Sequence, residues 1–118
     1  MEPVRLGATL RADPGRLTQA LLNLLQNAAD HAKGDEPVYF RVREERSSWR
    51  FEVADNGGGL PPGDEEVVFE AFSTGSSRRG RTGLGLSIVR GIARAHGGQA
   101  GVDNRPGRGA TFWIRIPK

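Results

Sequence analysis

The chain has 118 residues, 36% of them hydrophobic and 7% aromatic, which suits one α/β domain over residues 1–118 and excludes both a second core and disorder throughout. Cysteine is absent and only two histidines occur, so disulfides, Cys-ligated zinc, iron–sulfur clusters and thiol nucleophiles are excluded and a His-built metal site is disfavoured. The net charge of +3 rests on arginine, with Lys33 and Lys118 the only lysines, and no apolar run nears the roughly 18–20 residues that span a bilayer, so the sequence reads as a soluble, cytoplasmic domain.

Residues 5–10 alternate and predict a first strand. Asp13-Pro14 then offers a cap followed by proline at the first helical position, which predicts a helix over 14–33 closed by Gly34. At 100° per residue, Leu17, Leu21, Leu24, Leu25, Ala28 and Ala32 share one broad arc. Asn23, Asn27, Asp30 and His31 gather on another, away from the leucines. Residues 38–45 and 49–54 alternate around Arg46-Ser47-Ser48 and predict a hairpin, with Val38, Phe40, Val42, Trp49, Phe51 and Val53 toward the core.

A glycine- and proline-rich loop follows over 55–63, then a short helix over 64–69 and a polar stretch over 73–82. Leu84, Ile88, Val89, Ile92 and Ala95 recur at helical spacing and predict a helix over 83–96 that stops at Gly97. Two last strands, 99–103 and 110–116, flank a turn at Arg105-Pro106-Gly107-Arg108-Gly109. This order predicts an α/β two-layer sandwich whose mixed, largely antiparallel sheet is covered by helices on one face.

Three clusters carry chemistry. Asn23 and Asn27 stand one turn apart, and paired carboxamides can offer neutral oxygen to hydrated Mg²⁺ and N–H to phosphate, although two surface amides are the plainer reading. Asp55-Asn56-Gly57-Gly58-Gly59 follows a strand. A carboxylate there can accept from an exocyclic amine while glycines admit a flat base, though alone the segment also reads as an ordinary turn. Gly80-Arg81-Thr82-Gly83-Leu84-Gly85-Leu86 feeds glycines into a helix N-terminus, where free N–H groups favour phosphate, with Arg78 and Arg79 just before it. The stretch 75–82 lacks the lysine and preceding strand of a P-loop, and Gly83-x-Gly85 lacks the third glycine of a dinucleotide fingerprint.

In order and spacing these clusters resemble the catalytic, ATP-binding domain of bacterial two-component sensor histidine kinases. Leu22-Asn23-Leu24-Leu25-Gln26-Asn27-Ala28 resembles the N box, and Asp55-Asn56-Gly57-Gly58-Gly59-Leu60-Pro61 the G1 box. Val68-Phe69-Glu70-Ala71-Phe72 resembles the F box, 80–89 the G2 box, and His96-Gly97-Gly98 with 106–112 the closing pattern, so the likeness runs from about residue 10 to 117. It implies the Bergerat fold shared with gyrase B, MutL and heat-shock chaperone ATPases, with ATP and Mg²⁺ as cofactors.

Carried over by position, the resemblance makes Asn27 the Mg²⁺ ligand and Asn23 a phosphate or metal contact, both catalytic, and Asp55 the acceptor of the adenine amine. Gly57, Gly59 and Leu60 would line the adenine pocket, 73–82 would be the ATP lid, and Phe69 and Phe72 its hinge. Thr82, Gly83, Leu84, Gly85 and Leu86 would border the triphosphate. Hydrolysing relatives place a glutamate four residues before the metal asparagine; Asn23 stands there and cannot take a proton, which implies weak or negligible intrinsic ATPase. Asp30 replaces the lysine many members carry and would support Mg²⁺ through water or face solvent, so Arg79 or Arg81 would supply the missing charge, while His31 would pack or make a polar contact near the phosphates. His96 at a helix C-terminus reads as a structural cap where a cation is favoured.

The implied activity is protein-histidine kinase: the γ-phosphoryl passes to a histidine on a separate dimerisation domain and on to a response regulator receiver domain. Neither His31 nor His96 has an acceptor context, so the acceptor domain is expected outside this chain, which alone would be monomeric and in full length a homodimer with room for an inner-membrane anchor. The alternatives are a degenerate nucleotide-binding module and an anti-sigma-factor-type serine kinase. Nucleic acid is not expected as a partner, because Trp49 and Trp113 read as core or hairpin packing.

Overall fold

The structure is a computed structural model that describes residues 12–31, 37–57, 59–70, 85–105 and 107–118. The expected first strand, the Gly34 cap and the stretch 73–82 lie outside these residues. The elements run α1 (Pro14–His31), β1 (Tyr39–Glu44), β2 (Ser48–Asp55), α2 (Asp64–Val67), α3 (Gly85–Ala95), β3 (Gln99–Arg105) and β4 (Gly109–Pro117).

Helix α1 begins and helix α3 ends as their sequences dictate. Asp13 starts α1: its Oδ1 accepts from the Arg16 N–H at 3.1 Å and its carbonyl from Leu17 at 2.9 Å. Helix α3 closes in a Schellman turn, with Gly97 at φ 76° and the Gly98 N–H donating to Ala93 O at 2.8 Å.

The four described strands form one antiparallel sheet in the order β1-β2-β4-β3. Helix α1 lies over β2, α3 over β3 and β4, and the two helices pack on each other. Alternation sends Trp49, Phe51 and Val53 of β2 and Phe112, Ile114 and Ile116 of β4 into the layer beneath them. There they meet Ala20, Leu24 and Ala28 of α1 and Leu86, Val89, Ile92 and Ala93 of α3.

Two expectations change. Phe40 is on the core-facing side of β1 yet 47% exposed, because β1 is the outermost described strand and α1 packs over its neighbour β2. The carboxamides of α1 are not opposite its buried stripe. Ala20, Leu24 and Ala28 are fully buried and Asn27 is 4% exposed beside them, whereas Leu22 and Leu25 turn outward at 59% and 36%. A leucine count on a wheel cannot fix the helix rotation, which is set by the small Ala20 and Ala28 letting α1 approach the sheet.

The other sheet face is covered by charge. Glu52, buried at the centre of β2, meets Arg50 at 2.8 Å and Arg41 and Arg43 at 3.7 Å. Arg50 and Arg115 stack on the Trp113 ring at 4.7 and 5.1 Å. The ring lies across Gly101, where a Cβ would come within 2.3 Å of it. Trp113 therefore packs on the polar face, and Trp49 in the core.

Candidate functional site

At the end of β2 the alternation that buries Trp49, Phe51 and Val53 also buries Asp55, 4% exposed, on the helix side of the sheet. Its Oδ1 accepts from the Gly57 N–H at 2.8 Å, an Asx turn that leads the chain out of the strand. Its Oδ2 is buried and makes no hydrogen bond. A buried acceptor without a donor costs about 1–3 kcal/mol, and more when charged, so Oδ2 is poised for a donor that a ligand brings.

Glycine brings two backbones together at this point. Gly109, at φ 117°, passes so close to Asp55 that a Cβ would sit 2.1 Å from the Asp55 carbonyl oxygen. Downstream, Gly59 adopts φ 72° against the Arg105 carbonyl, 2.7 Å from where its Cβ would be. Leu60 follows, 3% exposed, and is held by Asn104: the Leu60 N–H donates to Oδ1 at 2.7 Å and Nδ2 donates to the Leu60 carbonyl at 3.0 Å. Nδ2 also reaches Glu65 Oε2 at 3.3 Å. A bond from its own backbone N–H, then the Asn104 amide, hold the Glu65 carboxyl below its usual 4.5.

On the helix side, Asn27 is buried and Asn23 half-buried. Asn23 Nδ2 donates to the Gly85 carbonyl at 3.2 Å, joining the middle of α1 to the first turn of α3. Asp30 is exposed and receives a bond from Gln26 Nε2 at 3.3 Å, one turn back on the same helix. Leu86 is 1% exposed, so its side chain belongs to the core and only its backbone remains for a ligand.

Phe69 is 2% exposed, tilted against Phe112 at 6.2 Å between ring centroids, with Arg90 stacked on it at 4.6 Å. Phe72, Arg79, Arg81, Thr82, Gly83 and Leu84, like the side chain of His31, lie outside the described residues. His96 does end α3, but as a neutral ring: its Nε2 accepts from the Asp13 N–H at 3.0 Å, which leaves the proton on Nδ1, 2.8 Å from the Ile92 carbonyl. The structural role read for His96 is thus a tie between the end of α3 and the start of α1.

The structure joins Asn23 of α1 to the Gly85 backbone of α3, and on the sheet side it holds Gly57 on Asp55 and Leu60 on Asn104. Sequence reasoning missed the contacts that Asn104, Glu65 and Gly109 make with the loop after β2. Asn104 carries no spacing signal, since its partner is 44 residues away.

Over residues 12–118 the chain matches the family described as histidine kinase-, DNA gyrase B-, and HSP90-like ATPase. It is 38% identical to the circadian input-output histidine kinase CikA of Synechococcus elongatus over 92% of this chain, and spans 15% of that protein. Among solved structures it is similar to the full-length ShkA complex with AMPPNP, with TM-score 0.79 and 38% identity over 90% of this chain and 22% of that one. The mycobacterial sensor histidine kinase MprB gives TM-score 0.82 and 31% identity over 92% of this chain and 76% of that one.

Proposed function

Because the chain belongs to the histidine kinase-, DNA gyrase B-, and HSP90-like ATPase family, we propose that residues 1–118 form the catalytic module of a sensor histidine kinase. It binds Mg·ATP and donates the γ-phosphoryl group to a histidine of a separate dimerisation domain. The observation that carries the reading is Asp55 Oδ2, a buried carboxylate oxygen without a donor beside a glycine-rich loop. The adenine N6 amine is the donor it suits, and the glycines let the flat base approach the backbone.

Among the described residues no group of three or more His, Cys, Asp or Glu side chains could hold a metal. The donor offered is the neutral amide of Asn27, which fits Mg²⁺ that arrives on phosphate oxygens and keeps most of its water. When bound, that ion neutralises phosphate charge.

Asn23 orients the first turn of α3 through the Gly85 carbonyl and, as an amide, activates no water. The site therefore waits for an imidazole nitrogen: the bond from the β,γ-bridging oxygen to the γ-phosphorus breaks, a phosphorus–nitrogen bond forms, and ADP leaves. Positioning and charge neutralisation carry the rate. Arg79 or Arg81 of the lid supplies the charge that Asp30 does not.

The phosphoryl group then passes to an aspartate of a response regulator, and the module is monomeric until its dimerisation helices join it. No helix among the described residues is long and apolar enough to cross a membrane; an anchor would lie in another part of a full-length kinase.

Calorimetric titration with Mg·ATP or a nonhydrolysable analogue tests the reading. Saturable binding that Asp55→Asn weakens at least tenfold is expected, and binding indifferent to that change overturns it. Transfer of labelled phosphate to a supplied acceptor domain separates a kinase from a module that only binds nucleotide.

A further inference from the structure

Asp55 and Asn104 occupy one row of the sheet. Each is paired with Ala110 of β4, Asp55 from β2 on one side and Asn104 from β3 on the other, so all three side chains project from the helix-facing surface. Ala110 is the smallest side chain that could stand between them, and it is buried at 5% exposure.

Asn104 grips Leu60 as a neighbouring strand would. Its Oδ1 accepts the Leu60 N–H at 2.7 Å and its Nδ2 donates to the Leu60 carbonyl at 3.0 Å. The second proton of Nδ2 points to Glu65 Oε2 at 3.3 Å, and Glu65 Oε1 receives the Gly63 N–H at 2.9 Å. These bonds fix which way the amide faces, because a flip would set Nδ2 against the Leu60 N–H. Gly59 is pressed into the same joint: a Cβ on it would stand 2.9 Å from Asn104 Oδ1 and 2.7 Å from the Arg105 carbonyl.

The segment that leaves the sheet at Asp55 is therefore fastened back to the sheet at Leu60, through β3. Its first end is set by the backbone approach of Gly109 to Asp55 and its second by Asn104. Gly57, between them, is held by Asp55 Oδ1.

We infer that Asn104 is a positioning residue for base recognition: by holding Leu60 and Gly59 at a fixed height above Ala110, it sets the far wall of the slot in which Asp55 reads an amino group on a purine. The inference rests on the ATP reading above and deepens it, because it assigns the choice of adenine over guanine to a residue outside the glycine-rich loop. A guanine presents a carbonyl oxygen where adenine presents its amine. A carboxylate oxygen rejects it only if the ring cannot slide to another register, and the wall at Gly59–Leu60 prevents the slide.

The test is competitive calorimetry with ATP and GTP on the wild-type domain, on Asn104→Ala, and on Asn104→Asp with and without Glu65→Gln. Affinities for the two nucleotides are measured on one sample, so any unfolded fraction cancels in their ratio and a purely structural role leaves the ratio unmoved. For Asn104→Ala we expect about a tenfold weaker affinity for ATP and a similar drop in the ATP-to-GTP preference, the scale set by two lost hydrogen bonds. Asn104→Asp keeps the acceptor for the Leu60 N–H but faces Glu65 with like charge; adding Glu65→Gln restores a donor there and should recover part of the preference.

A wild-type domain that binds neither nucleotide overturns the ATP reading and this inference with it. A wild type that binds ATP and GTP alike, or one that discriminates beside an Asn104→Ala variant that discriminates equally, overturns the inference alone.

Discussion

The backbone N–H of Asp13 donates to Nε2 of His96 at 3.0 Å, so the residue that caps the start of α1 is tied to the residue that follows the end of α3 across 83 positions of sequence. His96 Nδ1 stands 2.8 Å from the Ile92 carbonyl, and the two bonds together require the neutral ring with its proton on Nδ1. Nitrogen NMR near neutral pH should show this single tautomer; a doubly protonated ring would refute it. His96→Ala should cost about 1–2 kcal/mol in urea unfolding, the loss of a bond that joins two helices.

Asp55→Asn keeps an oxygen for the Gly57 N–H and turns the buried Oδ2 into a donor. Affinity for ATP should fall at least tenfold, since a donor would face a donor. The nucleotide-free domain should melt at the same temperature or above, because a buried carboxylate with one oxygen lacking a donor has been replaced by a neutral amide. A large drop in melting temperature would show that Asp55 is needed for the fold.

Gly107 and Gly109 separate backbone strain from steric contact. Both have positive φ, 79° and 117°, but nothing lies within 4 Å of a Cβ built on Gly107, whereas one on Gly109 would be 2.1 Å from the Asp55 carbonyl oxygen. Gly107→Ala should cost about 1 kcal/mol and Gly109→Ala about 3 kcal/mol or more, with ATP binding lost in the second. Equal costs in chemical denaturation would remove the claim that β4 positions Asp55.

Asn23 donates to the Gly85 carbonyl at 3.2 Å and has no basic lone pair to take a proton from water. With Mg·ATP alone the domain should release phosphate near the uncatalysed background in a coupled assay. Turnover of several per minute would overturn the role given to Asn23.

The Glu65 carboxyl is held below 4.5 by its own backbone N–H and by Asn104. A depressed carboxylate stabilises the fold fully above its unfolded value and loses that contribution as pH falls through its folded value. The bond to Asn104 should therefore persist from neutral pH to about 4.5 and loosen below it. The Asn104 side-chain amide signals should follow that titration; signals that shift instead between pH 7 and 5 would contradict it.

Much of the fold was legible before any coordinates. Pro14 after Asp13, Gly97 after Ala95 and the alternation of 49–54 are local signals, and α1, α3 and β2 appear within a few residues of the expected bounds. The glycine-rich run after β2 was likewise legible as a loop, and there Gly59 presses against the Arg105 carbonyl. The buried arc of α1 was legible in large part, since Leu17, Leu21, Leu24 and Ala28 pack on the core. Its edges were not: Leu25 is 36% exposed, while Ala20 and Asn27 are buried.

The sequence by itself determined the order of the described elements, the paired asparagines of α1, the glycine-rich run after β2 and the lack of a carboxylate four residues before Asn27, because each depends on neighbours a few positions apart. Only the tertiary structure decided that Asp55 has a buried oxygen in need of a donor, that Asn104 fastens Leu60, and that His96 is neutral. Those depend on partners separated by 44 and 83 positions, brought together by strand register and helix packing, which no local pattern encodes.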